Sequence, residues 1–132
     1  MIGLDTHIVV RYLAQDDDVQ SPVATRFPSR LTKDMPGFIS SVVLAEISRV
    51  PARRYRLDRS DIARTIRDLL ETAERVIENA ESAYRASGIY LGSGAVELAD
   101  ALIAEAASLA GASETVTFDR VAPAHAGMKL LK

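Results

Sequence analysis

Four acidic residues stand in places that an ordinary surface residue would not choose. Asp5 follows directly on the short apolar run "MIGL", and Asp119 closes the β-branched and aromatic run "TVTF". Glu46 lies between Ala45 and Ile47 in "VVLAEISRV", and Asp100 lies among alanines in "LADALIA". A carboxylate at the end of a buried strand costs free energy unless something pairs with it, and a helix interior disfavours aspartate. In open α/β sheets the crevice at the carboxyl ends of the strands is where ligands bind. Two acids arriving there from distant parts of the chain point to one common site that wants negative charge. A polyanionic substrate would reach such a site only through a metal ion or a local basic patch. Each acid also has an ordinary role open to it: Asp5 as a helix N-cap, Asp119 as the start of a turn, Glu46 facing water or paired with Arg49, and Asp100 exposed between small side chains. Glu97, three residues before Asp100, shares its side of the helix.

The elements that must position these residues can be read from periodicity. "MIGL" reads as a short strand, and Ile8, Val9, Tyr12 and Leu13 fall at helical spacing, with Thr6 or His7 at the helix start. "QDDDVQSPV" breaks the pattern, and another helix is expected near Val23. After the Pro36-Gly37 turn, Phe38 and Ile39 form a short strand that leads into a helix carrying Val43, Leu44, Ile47 and Val50. From Ile62 to Tyr84 the apolar residues keep helical spacing, so periodicity alone predicts one long helix. "AVELADALIAEAASLAG" is a strong helix by propensity, with Gly111 as its stop signal. "ETVTFDR" and "MKLL" read as two further strands. Alternation of strands and helices favours an α/β fold with a mostly parallel sheet.

With 132 residues the chain reads as one domain over 1–132, long enough to bury a core without staples. The sequence has no cysteine, which removes disulfides and thiolate zinc sites and fits a reducing cytoplasm. No apolar run approaches the roughly 18 residues that span a bilayer, and no export signal opens the chain, so a soluble cytoplasmic protein without membrane contact is expected. The net charge of −2 argues against a globally basic nucleic-acid binder.

These acids and their surroundings resemble the PIN-domain proteins, particularly the VapC toxins of bacterial toxin–antitoxin pairs. "MIGLDTHIVVRYLAQDD" is similar to the opening of that family, "ISSVVLAEI" to its second motif, "ELADALIAEAA" to its third and "TVTFDR" to its fourth. The likeness runs through essentially the whole chain, in order. It implies a three-layer α/β/α sandwich around a central, mostly parallel sheet, and a break in the long helix near Arg75 to Asn79 where a short strand should form. It implies that Asp5, Glu46, Asp100 and Asp119 are the catalytic acids, with Asp5 and Asp100 as direct metal ligands. Thr6, Glu97 and Thr117 are auxiliary. The function implied is a Mg²⁺-dependent endoribonuclease, with Mn²⁺ as a substitute, that hydrolyses RNA phosphodiester bonds with a metal-activated water. Carboxylate oxygens suit these hard cations. The family also implies a homodimer silenced by a cognate antitoxin protein.

Two features depart from the family pattern. His7 stands where asparagine is usual, and an imidazole replaces only part of the donor and acceptor set of an amide. The aromatic residue that often follows the second motif is replaced by "SRV". His7 keeps open a second reading, a catalytically weak or inactive PIN-like module that binds RNA or protein. The densest basic stretch, "SRVPARRYRLDR", offers Arg49, Arg53, Arg54, Arg56 and Arg59 around Tyr55 as a phosphate rail with one stacking aromatic; a solvated surface loop or a patch for an acidic protein partner is the more ordinary reading. "QDDD" at Asp16 to Asp18 lacks calcium-loop spacing, His7 and His125 lack zinc spacing, and no P-loop is present.

Overall fold

The computed structural model describes residues 1–14, 31–49, 58–93, 96–120 and 127–131. The helix expected near Val23, the "QDDD" run, His125, and Arg53, Arg54 and Arg56 with Tyr55 lie outside the described residues.

The described chain runs β1 (Ile2–Gly3), α1 (Thr6–Ala14), β2 (Gly37–Ile39), α2 (Ser41–Arg49), α3 (Arg59–Glu71), β3 (Arg75–Ile77), α4 (Ala80–Ser93), α5 (Leu98–Leu109), β4 (Val116–Thr117) and β5 (Lys129–Leu130). This is the expected α/β architecture, and every strand pairing is parallel. The strands form two sheets, in the orders β1-β2-β3 and β4-β5. With only two residues each, β1 and β4 offer little backbone to pair, and β1 spends its ladder on β2: Ile2 N–H donates to Pro36 O at 2.9 Å and Leu4 N–H to Phe38 O at 2.9 Å.

β2 is the middle strand of its sheet, and Ile39 at its end is fully buried. Around it pack Val9 and Val10 of α1, Val43, Leu44 and Ile47 of α2, Ile62, Ile66 and Leu69 of α3, Tyr90 of α4, and Leu98 and Leu102 of α5. Those positions recur at helical spacing, which is why each helix turns one apolar stripe inward. A smaller cluster joins Val96 to Met128, tying the segment before α5 to the last strand.

The single long helix that periodicity predicts from Ile62 to Tyr84 is not formed. α3 stops at Glu71, where Thr72 is extended (φ −91°, ψ 122°), and the chain turns with Arg75 N–H donating to Thr72 O at 3.1 Å. Val76 and Ile77 then join β2, and Asn79, with φ of 50°, turns the backbone into α4. Asparagine is one of the few residues other than glycine that tolerates this conformation. The ladder to β2 is a long-range interaction that a local period cannot register, so the break implied by the family resemblance is the correct reading.

Candidate metal centre

The first acid stands where β1 hands over to α1. The Asp5 carbonyl accepts the N–H groups of Ile8 at 3.1 Å and Val9 at 3.3 Å, so its backbone starts the helix ladder. Its exposed carboxylate accepts no hydrogen bond among the described residues, so the ordinary N-cap role is filled by the backbone alone. Thr6 comes next and is buried, and its hydroxyl donates a very short hydrogen bond to Glu46 Oε2. His7 is exposed beside this pair.

Glu46 is carried by α2, which starts where two chain segments meet. Ser40 Oγ accepts from Val43 N–H at 3.2 Å, and Glu78, just beyond β3, accepts from Ser41 N–H at 2.9 Å. Both satisfy donors that a helix start leaves open. Val43, Leu44 and Ile47 face the core, which leaves Glu46 on the exposed side toward Thr6. Arg49 follows one turn later, and it pairs with Glu97 at 3.6 Å, with both side chains about two-thirds exposed. The Glu46–Arg49 pair considered from the sequence is therefore replaced by two separate contacts, Thr6–Glu46 and Arg49–Glu97.

Glu97 is the N-cap residue of α5, although its side chain makes no capping bond, and Asp100 occupies the first turn. The far end of α5 closes as the sequence predicts. Gly111 has φ of 94°, Gly111 N–H donates to Ser108 O at 3.0 Å, and Ala112 N–H donates to Ala107 O at 2.9 Å, a Schellman closure. Asp100 is half-buried, and its carboxyl is pushed above the usual carboxylate range. Burial is the main cause, the charges of Glu97 and Asp119 add to it, and Arg49 opposes it. Asp119 stands just beyond β4, where Thr117 Oγ1 accepts its backbone N–H at 3.0 Å.

The expected acids therefore fall into two groups. Thr6 and Glu46, with Asp5 next to Thr6 in the chain, form one, and Arg49 and Glu97, with Asp100 one turn on and under the charge of Asp119, form the other. α2 joins them, because it carries Glu46 to the first and Arg49 to the second. Among the described residues no three His, Asp or Glu side chains come close enough together to hold a metal ion. The donor chemistry still fits a hard divalent cation. Mg²⁺ keeps several of its waters and takes only one or two carboxylates directly, and Asp100, raised first by burial and then by the charges of Glu97 and Asp119, is a carboxyl whose ionised form a cation would favour.

Of the basic stretch, two arginines are described. Arg49 stands at the acidic groups, but Arg59 turns inward and is no part of a phosphate rail. Its Nη2 donates to Tyr90 O and to Val96 O, both at 2.6 Å, and its guanidinium lies 3.9 Å from the centre of the Tyr90 ring. The "DRSD" run contains the signal for this. Asp58 and Asp61 form a capping box, with Asp61 N–H donating to Asp58 at 2.8 Å and Asp58 N–H to Asp61 at 3.2 Å. That box makes Arg59 the first residue of α3. Glu78, the other contributor missed in the sequence, carries no local signal because its partner lies 37 residues away.

A parallel α/β fold with acids where its strands end and its helices begin defines a class of ligand-binding α/β proteins. The family profile of the PIN domain matches residues 2–127, and the chain belongs to that family. PIN domains are generally metal-dependent nucleases, and the family typically uses a divalent metal. Comparison with curated proteins and with solved structures gives no match.

Proposed function

We propose that this protein is a Mg²⁺-dependent endoribonuclease of the VapC-like toxin kind. It cuts RNA as a homodimer in the cytoplasm until a cognate antitoxin protein fills its acidic groove. The observation that carries the reading is the contact between α2 and the start of α5 at Arg49–Glu97, 3.6 Å apart, one turn from Glu46 and one turn from Asp100, whose carboxyl is raised first by burial and then by the charges of Glu97 and Asp119. Membership of the PIN family supplies the nuclease class.

Asp5 and Asp100 hold the cation, with Mn²⁺ able to replace Mg²⁺. When bound, such an ion supplies Lewis-acid stabilisation of the phosphate and lowers the pKa of water. Glu46, held by the Thr6 hydroxyl, and Asp119, whose backbone N–H is held by Thr117, accept hydrogen bonds from the attacking water and aim it at phosphorus. Glu97 holds Arg49 at the rim, where its guanidinium meets a phosphate oxygen of the substrate. Arg53, Arg54 and Arg56 add positive charge for contact with RNA or a partner. Cleavage mapping on total RNA tests the reading: cuts that need Mg²⁺ or Mn²⁺, stop in chelator and vanish in Asp100→Asn support it, and cuts that persist in chelator overturn it.

A second reading has one observation in its favour: among the described residues no three acids share a ligating position. The chain would then be a PIN-like module that binds RNA or a protein partner without cutting. RNA binding that survives Asp100→Asn, with no cleavage in the unaltered protein at any divalent concentration, selects this alternative.

A further inference from the structure

Arg59 spends its charge on two main-chain carbonyls. The Tyr90 carbonyl belongs to the last turn of α4, where helix carbonyls have no partner within the helix and the negative end of the helix dipole lies. The Val96 carbonyl lies one residue before Glu97, the N-cap of α5. One guanidinium nitrogen thus joins the end of one helix to the beginning of the next. The Tyr90 ring backs the guanidinium at 3.9 Å, and the Asp58–Asp61 capping box holds its backbone. The turn it closes is fixed from within as well, since Val96 N–H donates to Ser93 Oγ at 2.9 Å. Arg59 Nε is buried and has no hydrogen-bond partner among the described residues.

We infer that Arg59 is a positioning residue, a clamp that sets where the Glu97–Asp100 turn stands against α2 and β4. The reasoning runs through the backbone. Val96 is buried, Leu98 is buried, and Glu97 between them is exposed, so the carbonyl held by Arg59 fixes the direction in which α5 starts. Asp100 sits in the first turn of that helix, and a small rotation there would move its carboxyl away from Asp119 and Arg49. A lysine cannot replace the clamp, because a tetrahedral ammonium has no planar face to stack on the Tyr90 ring, and it is that stacking that fixes the directions of the two Nη2 N–H bonds.

This inference rests on the metal-site reading for its effect on binding, but not for its effect on the backbone. Two measurements on the full chain therefore separate the two. Arg59→Lys is compared with the unaltered protein and with Leu69→Ala, a core truncation at the other end of α3 that lowers stability without touching the clamp. Amide hydrogen exchange is read at residues 97–102 well below the melting transition, and Mn²⁺ affinity is read by calorimetry. The clamp predicts faster exchange at 97–102 in Arg59→Lys only, and Mn²⁺ binding weakened by about tenfold, the lower end of what loss of an outer-sphere partner costs. Exchange and affinity in Arg59→Lys equal to those of Leu69→Ala would overturn it. If the unaltered protein fails to bind Mn²⁺, the metal-site reading falls, and the exchange measurement alone decides the clamp. Should Arg59→Lys not fold, Tyr90→Leu, which removes the backing ring and leaves Arg59 in place, is read in the same two ways and with the same outcomes.

Discussion

Replacing Thr6 by valine removes one hydroxyl and leaves nearly the same shape. Thr6 is 4% exposed, and its hydroxyl donates to Glu46 Oε2 on a side chain that faces solvent. A hydrogen bond to a charged group is worth about 1.5–3 kcal/mol when both partners lose water. Here the freed Glu46 carboxylate is re-solvated, so the loss falls toward the neutral value of about 1 kcal/mol, and the added methyl group offsets part of it. For a chain of this size that is a drop of about 3–4 °C in melting temperature. The functional cost should be much larger. Glu46 would keep its charge but lose its fixed direction, and outer-sphere partners of this kind are worth about 10–100-fold in metal affinity or activity. Thermal melting in chelator and Mn²⁺-dependent cleavage of an RNA panel read the two effects separately, with Thr6→Ser retaining both properties. If Thr6→Val melts within a few degrees of the unaltered protein and also cuts RNA at its full rate, the hydroxyl does not orient a working acid and the reasoning is refuted.

Other consequences follow from the same geometry. The Asp100 carboxyl is raised above its unfolded value by burial, then by Glu97 and Asp119, so the folded state holds that proton more tightly than the unfolded one. Its contribution favours folding at low pH and is lost as pH rises through the raised value. In chelator, Asp100→Asn should therefore be more stable than the unaltered protein at neutral pH, with the gap closing as pH falls in urea-denaturation series; an unchanged gap contradicts the assignment. Arg49→Ala should cost less than about 1 kcal/mol, because the Glu97 pair at 3.6 Å is solvated on both sides, yet it should weaken RNA binding more at low salt than at high. Gly37→Ala would place a Cβ 2.8 Å from Leu4 Cδ1 and 2.9 Å from Leu31 Cδ1 in the middle strand. A destabilisation of about 1–3 kcal/mol is expected from this overpacking, measured by denaturant titration.

Much of this arrangement was open to reading in the amino-acid order, for identifiable reasons. The apolar stripe placed α2, alanine-rich propensity placed α5, Gly111 marked the end of α5, and the β-branched run "TVTF" marked β4, because each of those signals is local. The 62–84 stretch defeated periodicity because Val76 and Ile77 satisfy a helical spacing while their backbone is claimed by β2. At the site, Thr6–Glu46 and Asp100–Asp119 join residues 40 and 19 positions apart, and motif order in a family suggests such meetings where spacing cannot. Arg59 was counted among surface cations because a sequence does not disclose which arginine turns inward. The capping box beside it was the one clue, since it fixes the helix start from which the guanidinium reaches α4 and α5.

The central claim is that acids from the β1–α1 junction, α2, α5 and the end of β4 serve one divalent ion. Sub-stoichiometric Mn²⁺ added to the isotope-labelled protein reads this directly, because the paramagnetic ion broadens amide resonances close to where it binds. Simultaneous broadening at Asp5, Glu46, Asp100 and Asp119, reversed by chelator and abolished in Asp100→Asn, is the expected result. Broadening confined to only one of the two acidic groups, or scattered over acids elsewhere on the surface, would contradict it.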